Sequence, residues 1–409
     1  MYNEITKCRI SGSENLITVL SLGEQTLTGV FPKSEDEKIT KGPVDMVWCP
    51  DGGLLQLKQS YSLDEMYGDN YGYRSGLNQS MVDHLTQKIQ TLEKLAKPSE
   101  NDIVVDIGSN DATSLKAYQS KCRKVGIDPT GKKFIEFYTD DIKLVPDFFS
   151  AANFESVYPG EKAKIITSIA MFYDLEDPAQ FVRDIESVLA QDGIWHFEQS
   201  YMPAMLQTNS YDTLCHEHLE FYSLQVIKDL LENNGMRVID VQTNDVNGGS
   251  FAITAGKKDG PFQSNNAVIN WMLKQEKRMG LDTIEPYLAF AERMVQHKES
   301  LRDLIDSLVA AGKTIFGYGA STKGNVLLQY CNLTRKEIPY IAEVNPNKFG
   351  SFTPGTLIPI ISEAEAKAMK PDYFLVLPWH FKHHILAREK EFLKNGGKFI
   401  FPLPEIEII

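Results

Sequence analysis

Twice along this chain a short apolar run stops at a glycine turn: Ile103-Val104-Val105-Asp106-Ile107-Gly108, and later Ile315-Phe316-Gly317-Tyr318-Gly319. Apolar runs without alternation suit strands buried on both faces, as in a parallel sheet flanked by helices. Each run therefore predicts an α/β unit whose strand-end turn opens a ligand crevice. Further strands are expected at 125–128, 165–168, 194–198 and 251–254 around the first run, and at 340–343, 373–377 and 398–401 around the second. Residues 1–66 hold shorter β-type runs (16–20, 44–48, 54–57) broken by Gly and Pro, which predicts a small β-rich module. A tyrosine-rich connector (67–76) leads into residues 78–96, where Met81, Leu85, Ile89 and Leu92 keep helical spacing. Residues 262–311 read as long charged helices. Three parts result: 1–66, 67–260 and 261–409, with a cleft expected between two ligand-binding α/β units.

Composition narrows the classes. A formal charge of −13 argues against a nucleic-acid partner. No run approaches the length of a membrane span, and the N-terminal residues lack a signal-like pattern. Five scattered cysteines do not make a disulfide scaffold, so a soluble enzyme of the reducing cytoplasm is expected. Cys8 and Cys49 invite a zinc site, yet the partner positions are Ser11 and Gly52, and no metal is expected.

The chemistry concentrates in residues 210–222, SYDTLCHEHLEFY, which hold two of the eight histidines. Such proton-handling groups are costly to bury unless something uses them. In an extended loop His216 and His218 would point the same way. Their spacing is not that of the HExxH zinc proteins, and general-base chemistry by a histidine beside a carboxylate fits better. A solvated polar loop is the bland alternative. In the second α/β unit, Gly319, Ala320, Ser321, Lys323, Gly324 and Asn325 suggest a phosphate cradle at a helix N-terminus. Glu343, Asn345, Trp379 and His380 mark later strand ends where a nucleotide base and sugar could be read. The alternative there is a structural αβ turn.

The DIGSND turn after the first strand resembles motif I of class I S-adenosylmethionine (SAM) methyltransferases. Together with the SYDT-x-CHEHLE-x-YS and GYGAS-x-KGN stretches, nearly the whole chain resembles bacterial SAM-dependent sugar C-methyltransferases, which branch deoxysugars at C-3 of a nucleotide-linked 4-keto sugar. The resemblance implies an α/β fold: a class I (Rossmann-like) methyltransferase domain, a small N-terminal domain resembling a degenerate zinc ribbon, and a second Rossmann-like domain for the nucleotide sugar. It implies S-adenosyl-L-methionine held by Asp106, Gly108, Ser109, Asn110, Asp111, Asp128, Asp147, Phe148, Phe149 and Ser168. His218 would be the base, with Glu217 holding the sugar or supporting the histidine. Tyr71 or Tyr73 of the connector would line the transfer site, Tyr173 is a candidate active-site phenol, and Tyr222, His216 and the connector phenols are candidate donors near the ketone oxygen. Two departures stand out: Cys215, where some members carry tyrosine, and Tyr173, where they carry histidine. An O-methyltransferase acting on a sugar nucleotide and a non-catalytic sugar-nucleotide-binding protein with a relic SAM fold are the alternatives. A nicotinamide enzyme fits less well, since GYGAS lacks the full fingerprint.

Overall fold

Neighbouring β runs tend to pair with one another, and the N-terminal strands do so. In the computed structural model, which describes residues 2–62, 66 and 73–409, β1 (Tyr2–Glu4) pairs antiparallel with β5 (Gln59–Tyr61). Between them β2 (Ile17–Thr26), β3 (Lys41–Trp48) and β4 (Leu55–Leu57) form an antiparallel meander.

The first apolar run is β6 (Ile103–Ile107), buried at all five positions. It is followed by β7 (Arg123–Ile127), β8 (Ile142–Val145), β9 (Ala163–Ile169) and β10 (Leu189–Ser200). A two-residue strand, β11 (Glu220–Phe221), then precedes β12 (Met236–Asn244) and β13 (Ser250–Lys257). Seven of these build one sheet in the order β12-β13-β10-β9-β6-β7-β8, with β13 antiparallel to both neighbours and the other pairs parallel. Strands β8 and β12 lie outside those expected from sequence. They form the two sheet edges, where polar residues interrupt the apolar run.

The second run starts a six-stranded sheet: β14 (Ile315–Tyr318), β15 (Ile341–Glu343), β16 (Ile360–Ser362), β17 (Tyr373–Val376), β18 (Lys398–Phe401) and β19 (Glu407–Ile408). The order is β16-β15-β14-β17-β18-β19, parallel except for β19. Counted from β14 this is 3-2-1-4-5-6, the order of dinucleotide-binding folds, whose ligands sit where strand order reverses. Both sheets therefore present a switch point, one between β6 and β9 and the other between β14 and β17.

Two interlocks join the parts. Strand β11 leaves the first α/β unit and completes the N-terminal sheet, Glu220 opposite Gln56 and Phe221 opposite Leu55. The helix Glu285–Ala310 buries Tyr287, Phe290, Met294, His297, Leu301 and Ile305, a stripe at helical spacing. Its Tyr287 packs on Trp48, with ring centroids 5.5 Å apart. Among the described residues no helix is long and apolar enough to cross a membrane.

Candidate active site

One cavity of about 480 Å³ opens between the parts. Its walls include Asp106, Gly108 and Asp128 from the first switch point, Tyr173, Glu217 and His218 from the loops, and Thr322 and Lys323 from the second α/β unit.

The glycine turn makes the first wall. Gly108 takes φ +70°, with Asn110 at +49° and Ala112 at +60°, so the chain doubles back tightly after β6. Asp106 accepts a bond from Thr167 Oγ1 at 2.5 Å. Burial lifts its carboxyl to about 7 despite the Thr167 and Ser114 bonds. Asp128, at the end of β7, accepts bonds from the Asn110 amide (2.7 Å) and the Thr130 amide (2.6 Å) while lining the cavity. Ser109, Phe148 and Phe149 complete this wall. Acidic strand ends beside exposed aromatic rings suit a cationic ligand carrying a sugar diol and a flat base, so these residues fit S-adenosylmethionine.

Several expected donor-site residues are used otherwise. Asp111 turns away from the cavity to accept bonds from the Gly76 amide (2.9 Å) and Thr113 Oγ1 (2.5 Å). Asn110 adds bonds from the Ser75 amide and to the Tyr73 carbonyl. The two side chains thus hold Tyr73, Ser75 and Gly76, and Tyr73, Ser75 and Asn110 itself line the cavity. Tyr71 lies outside the described residues. Asp147 is spent on the Phe148 amide (2.7 Å) and does not line the cavity. Ser168 is wholly buried in the sheet, where it accepts a bond from Trp195 Nε1 at 3.0 Å.

The His-Glu-His segment is a hydrogen-bonded turn rather than an extended loop: the His218 amide donates to the Cys215 carbonyl. That reversal sends the two histidines opposite ways. His216 faces the N-terminal module, its Nε2 3.2 Å from the Gln25 carbonyl and its ring edge-on to Tyr61. His218 faces the cavity, edge-on to Tyr173 with centroids 4.4 Å apart. Its Nδ1 lies 2.8 Å from the Thr213 carbonyl, which can only accept. Nδ1 therefore carries the proton, and Nε2 keeps its lone pair. Burial, with the Lys323 charge second, lowers His218 to about 4, so it is neutral at pH 7.

The orienting partner of His218 is thus a backbone carbonyl, and not the neighbouring carboxylate. Glu217 instead points past Gly29, and its Oε2 is a buried acceptor without a partner among the described residues. Burial raises its pKa. Tyr222 stacks on Phe172 inside the core, with centroids 5.4 Å apart, and does not reach the cavity.

The expected phosphate cradle is closed on itself. The Ala320 amide donates to Glu343 Oε2 at 2.7 Å, and the Val344 and Asn345 amides donate to Glu343 Oε1. Ser321 caps the helix Thr322–Tyr330 by accepting from the Gly324 amide. Gly319 abuts Pro378 and Gly324 abuts Leu377, each too close for a side chain. Asn325 donates to the Thr28 carbonyl at 2.8 Å, and Asn345 accepts from the Asn347 amide at 3.0 Å. Of the predicted cradle only Lys323 reaches the main cavity. Trp379 donates from Nε1 to buried Asp212 at 2.7 Å, and His380 beside it is half-buried, its pKa lowered to about 3 by desolvation and then the Lys323 charge.

Sequence reasoning missed Glu198. It lines the cavity from the end of β10, held by His84 Nε2 (2.6 Å), Lys88 Nζ (2.6 Å) and Asn244 Nδ2 (2.7 Å). Burial pushes its carboxyl up, but the His84 and Lys88 contacts prevail and hold it at about 2. The signal was available: Glu198 ends an apolar strand just as Asp106 and Asp128 do.

At the N-terminus Cys8, Ser11, Cys49 and Gly52 converge. Ser11 Oγ lies 3.5 Å from Cys49 Sγ, and a Cβ placed on Gly52 would stand 3.3 Å from Cys8 Sγ. Two thiols, a hydroxyl and an empty corner do not fit a four-ligand zinc site.

Residues 81–241 match the methyltransferase domain model, residues 245–404 the C-methyltransferase C-terminal domain, and residues 8–67 the "Putative zinc binding domain". The C-methyltransferase NovU of Streptomyces niveus is 32% identical over 409 residues, covering 99% of this chain and 97% of NovU. Among solved structures, an S-adenosylmethionine-dependent methyltransferase from Clostridium acetobutylicum ATCC 824 is 11% identical, with TM-score 0.34, over 43% of this chain and 92% of that one. Magnesium protoporphyrin IX methyltransferase of Synechocystis PCC 6803, solved with bound SAH, is 14% identical, with TM-score 0.32, over 44% of this chain and 83% of that one.

Proposed function

Since the chain belongs to the C-methyltransferase family and depends on S-adenosylmethionine, we propose that it methylates C-3 of a nucleotide-linked 4-keto sugar. What supports this is the fixed tautomer of His218: its Nδ1–H is committed to the Thr213 carbonyl, leaving Nε2 basic inside the cavity.

Carbon must be made nucleophilic before it can take a methyl group. A ketone at C-4 acidifies the hydrogen on C-3, and a base within hydrogen-bond reach can remove it. His218 Nε2 accepts that proton, while Tyr173 holds the imidazole plane by its edge-on contact. The unpartnered oxygen of Glu217 takes a sugar hydroxyl and fixes the ring beside the base. Asp106 and Asp128 secure the methyl donor across the cavity, and Tyr73 lines it. S-adenosylmethionine supplies an electrophilic methyl group on a sulfonium. The residues contribute mainly by bringing the carbanionic carbon into line with it.

The test is H218N assayed with dTDP- and GDP-linked 4-keto-6-deoxyhexoses in deuterated water. The variant should bind S-adenosylmethionine as the wild type does and lose deuterium exchange at C-3. Exchange at the wild-type rate would remove His218 from the role of base. Methylation by the wild-type enzyme without any C–H exchange would turn the assignment toward a hydroxyl acceptor.

A further inference from the structure

An enolate needs a positive partner at its oxygen; of the groups expected to donate there, the Tyr73 phenol is neutral, and two others are elsewhere. Tyr222 is stacked in the core and His216 faces the N-terminal sheet. Lys323 is in the cavity instead. It sits in the first turn of the helix Thr322–Tyr330, at the switch point of the second sheet, and its side chain leaves that unit to enter the space shared with His218. Its Nζ donates to the Asn247 carbonyl at 2.6 Å. An ammonium has three N–H donors. Among the described residues that carbonyl is the one acceptor within bonding distance, so two donors remain for a ligand. The geometry of the glycine turn also argues against a phosphate-holding role. The Ala320 amide is taken by the Glu343 carboxylate, whose charge would repel a phosphate there.

We propose that Lys323 is a catalytic residue whose ammonium binds the substrate's ketone oxygen and carries the charge that develops there. This rests on the ketone acceptor proposed above. As His218 Nε2 takes the C-3 proton, the C–H electron pair becomes the C3–C4 double bond, and the carbonyl π pair moves to oxygen beside Lys323. The oxygen then returns that pair, the C3–C4 π electrons form the new bond to the methyl carbon, and the bond from methyl to sulfur breaks with its electrons staying on sulfur. Lys323 keeps its protons throughout. Burial lowers the pKa of the Lys323 amine, and the charge of buried Asp212, held by Trp379, offsets part of that cost. Asp212 is a positioning residue.

The experiment compares wild type, K323M and K323R on the same 4-keto-6-deoxyhexose nucleotides, following C-3 deuterium exchange, methylation and calorimetric binding. Loss of one preorganised oxyanion donor typically slows an enzyme by about 10² to 10³-fold. K323M should lose exchange and methylation together by that factor, with S-adenosylmethionine binding unchanged and sugar-nucleotide binding weakened by less than about fivefold, since a contact made in the transition state spares ground-state affinity. K323R, retaining charge in a different shape, should fall between them. If K323M folds poorly, as judged by melting and by S-adenosylhomocysteine binding, K323Q takes its place. Undiminished exchange with much weaker sugar-nucleotide binding would make Lys323 a substrate anchor and overturn the proposal. Absence of exchange in the wild type with every ketone tested would instead overturn the ketone assignment, and this one with it.

Discussion

The Nδ1 of His218 sits 2.8 Å from the carbonyl oxygen of Thr213, five residues earlier in the chain. That contact is possible because a short 3-10 turn over Tyr211–Thr213 is followed by the reversal at Cys215–His218. Each end is anchored by a different part of the molecule. Tyr211 reaches His297 of the long helix, Asp212 holds Trp379 of the third unit, and Leu219 donates to the Tyr173 carbonyl while accepting from the Leu57 amide. His218 is therefore aimed by backbone geometry that three separate packings determine together.

This environment sets a pH dependence. His218 is lowered to about 4, below its ordinary 6.5, by burial first and the Lys323 charge second. The neutral, competent form then persists well below pH 6.5, and at saturating S-adenosylmethionine the acid limb of kcat/KM for the sugar substrate should fall near pH 4 to 5. Stability follows the same sign: a depressed folded pKa gives a contribution complete above about 6.5 and lost as pH falls toward 4. A pH–rate profile with its acid limb at 6.5 or higher would show that another group limits the reaction.

Gly29 should be intolerant of any side chain. A Cβ there would stand 2.6 Å from Glu217 Oε1, so G29A must displace the carboxylate. Methylation by G29A is expected to fall at least about tenfold, with little change in S-adenosylmethionine affinity, since a misplacement of about 1 Å can cost 10²-fold. Wild-type activity in G29A would mean that Glu217 need not occupy its observed position.

Asp106, lifted to about 7 by burial, should couple donor binding to protons. A cationic ligand favours the ionised carboxylate, so affinity for S-adenosylmethionine should rise with pH up to about 7 and level off above it. Calorimetry at pH 7 in buffers of different ionisation enthalpy should register proton release. D106N should show neither the release nor the slope, and a wild type without either would place the ionisation elsewhere.

The N-terminal corner makes a prediction about metal. With Ser11 and Gly52 beside Cys8 and Cys49, the purified wild type should carry no stoichiometric zinc. The double variant S11C/G52C completes four thiols at the spacing zinc takes. It should bind about one equivalent, measured by elemental analysis, and should melt higher with the metal than after chelation. Equal zinc in both proteins would show that two thiols suffice here.

The sequence by itself determined the two α/β units. Apolar strands β6 and β14, with glycines at their ends, have few other ways to bury both faces. It also carried one wall of the cavity, because Asp106 and Gly108 belong to β6 and its turn and Asp128 directly follows β7. What it could not fix was the direction of a side chain whose surroundings come from distant segments. His216 and His218 are two residues apart, yet their faces were decided by Gln25 and Tyr61 on one side and Thr213 and Tyr173 on the other. Glu343 filling the glycine turn, Asp111 pinning the connector and Lys323 crossing into the cavity are of the same kind. A motif selects residue types through local geometry. Which ligand those residues meet depends on burial and charge contributed across the tertiary structure, and here that placed His218, Glu198 and Lys323, from three separate segments, in one cavity.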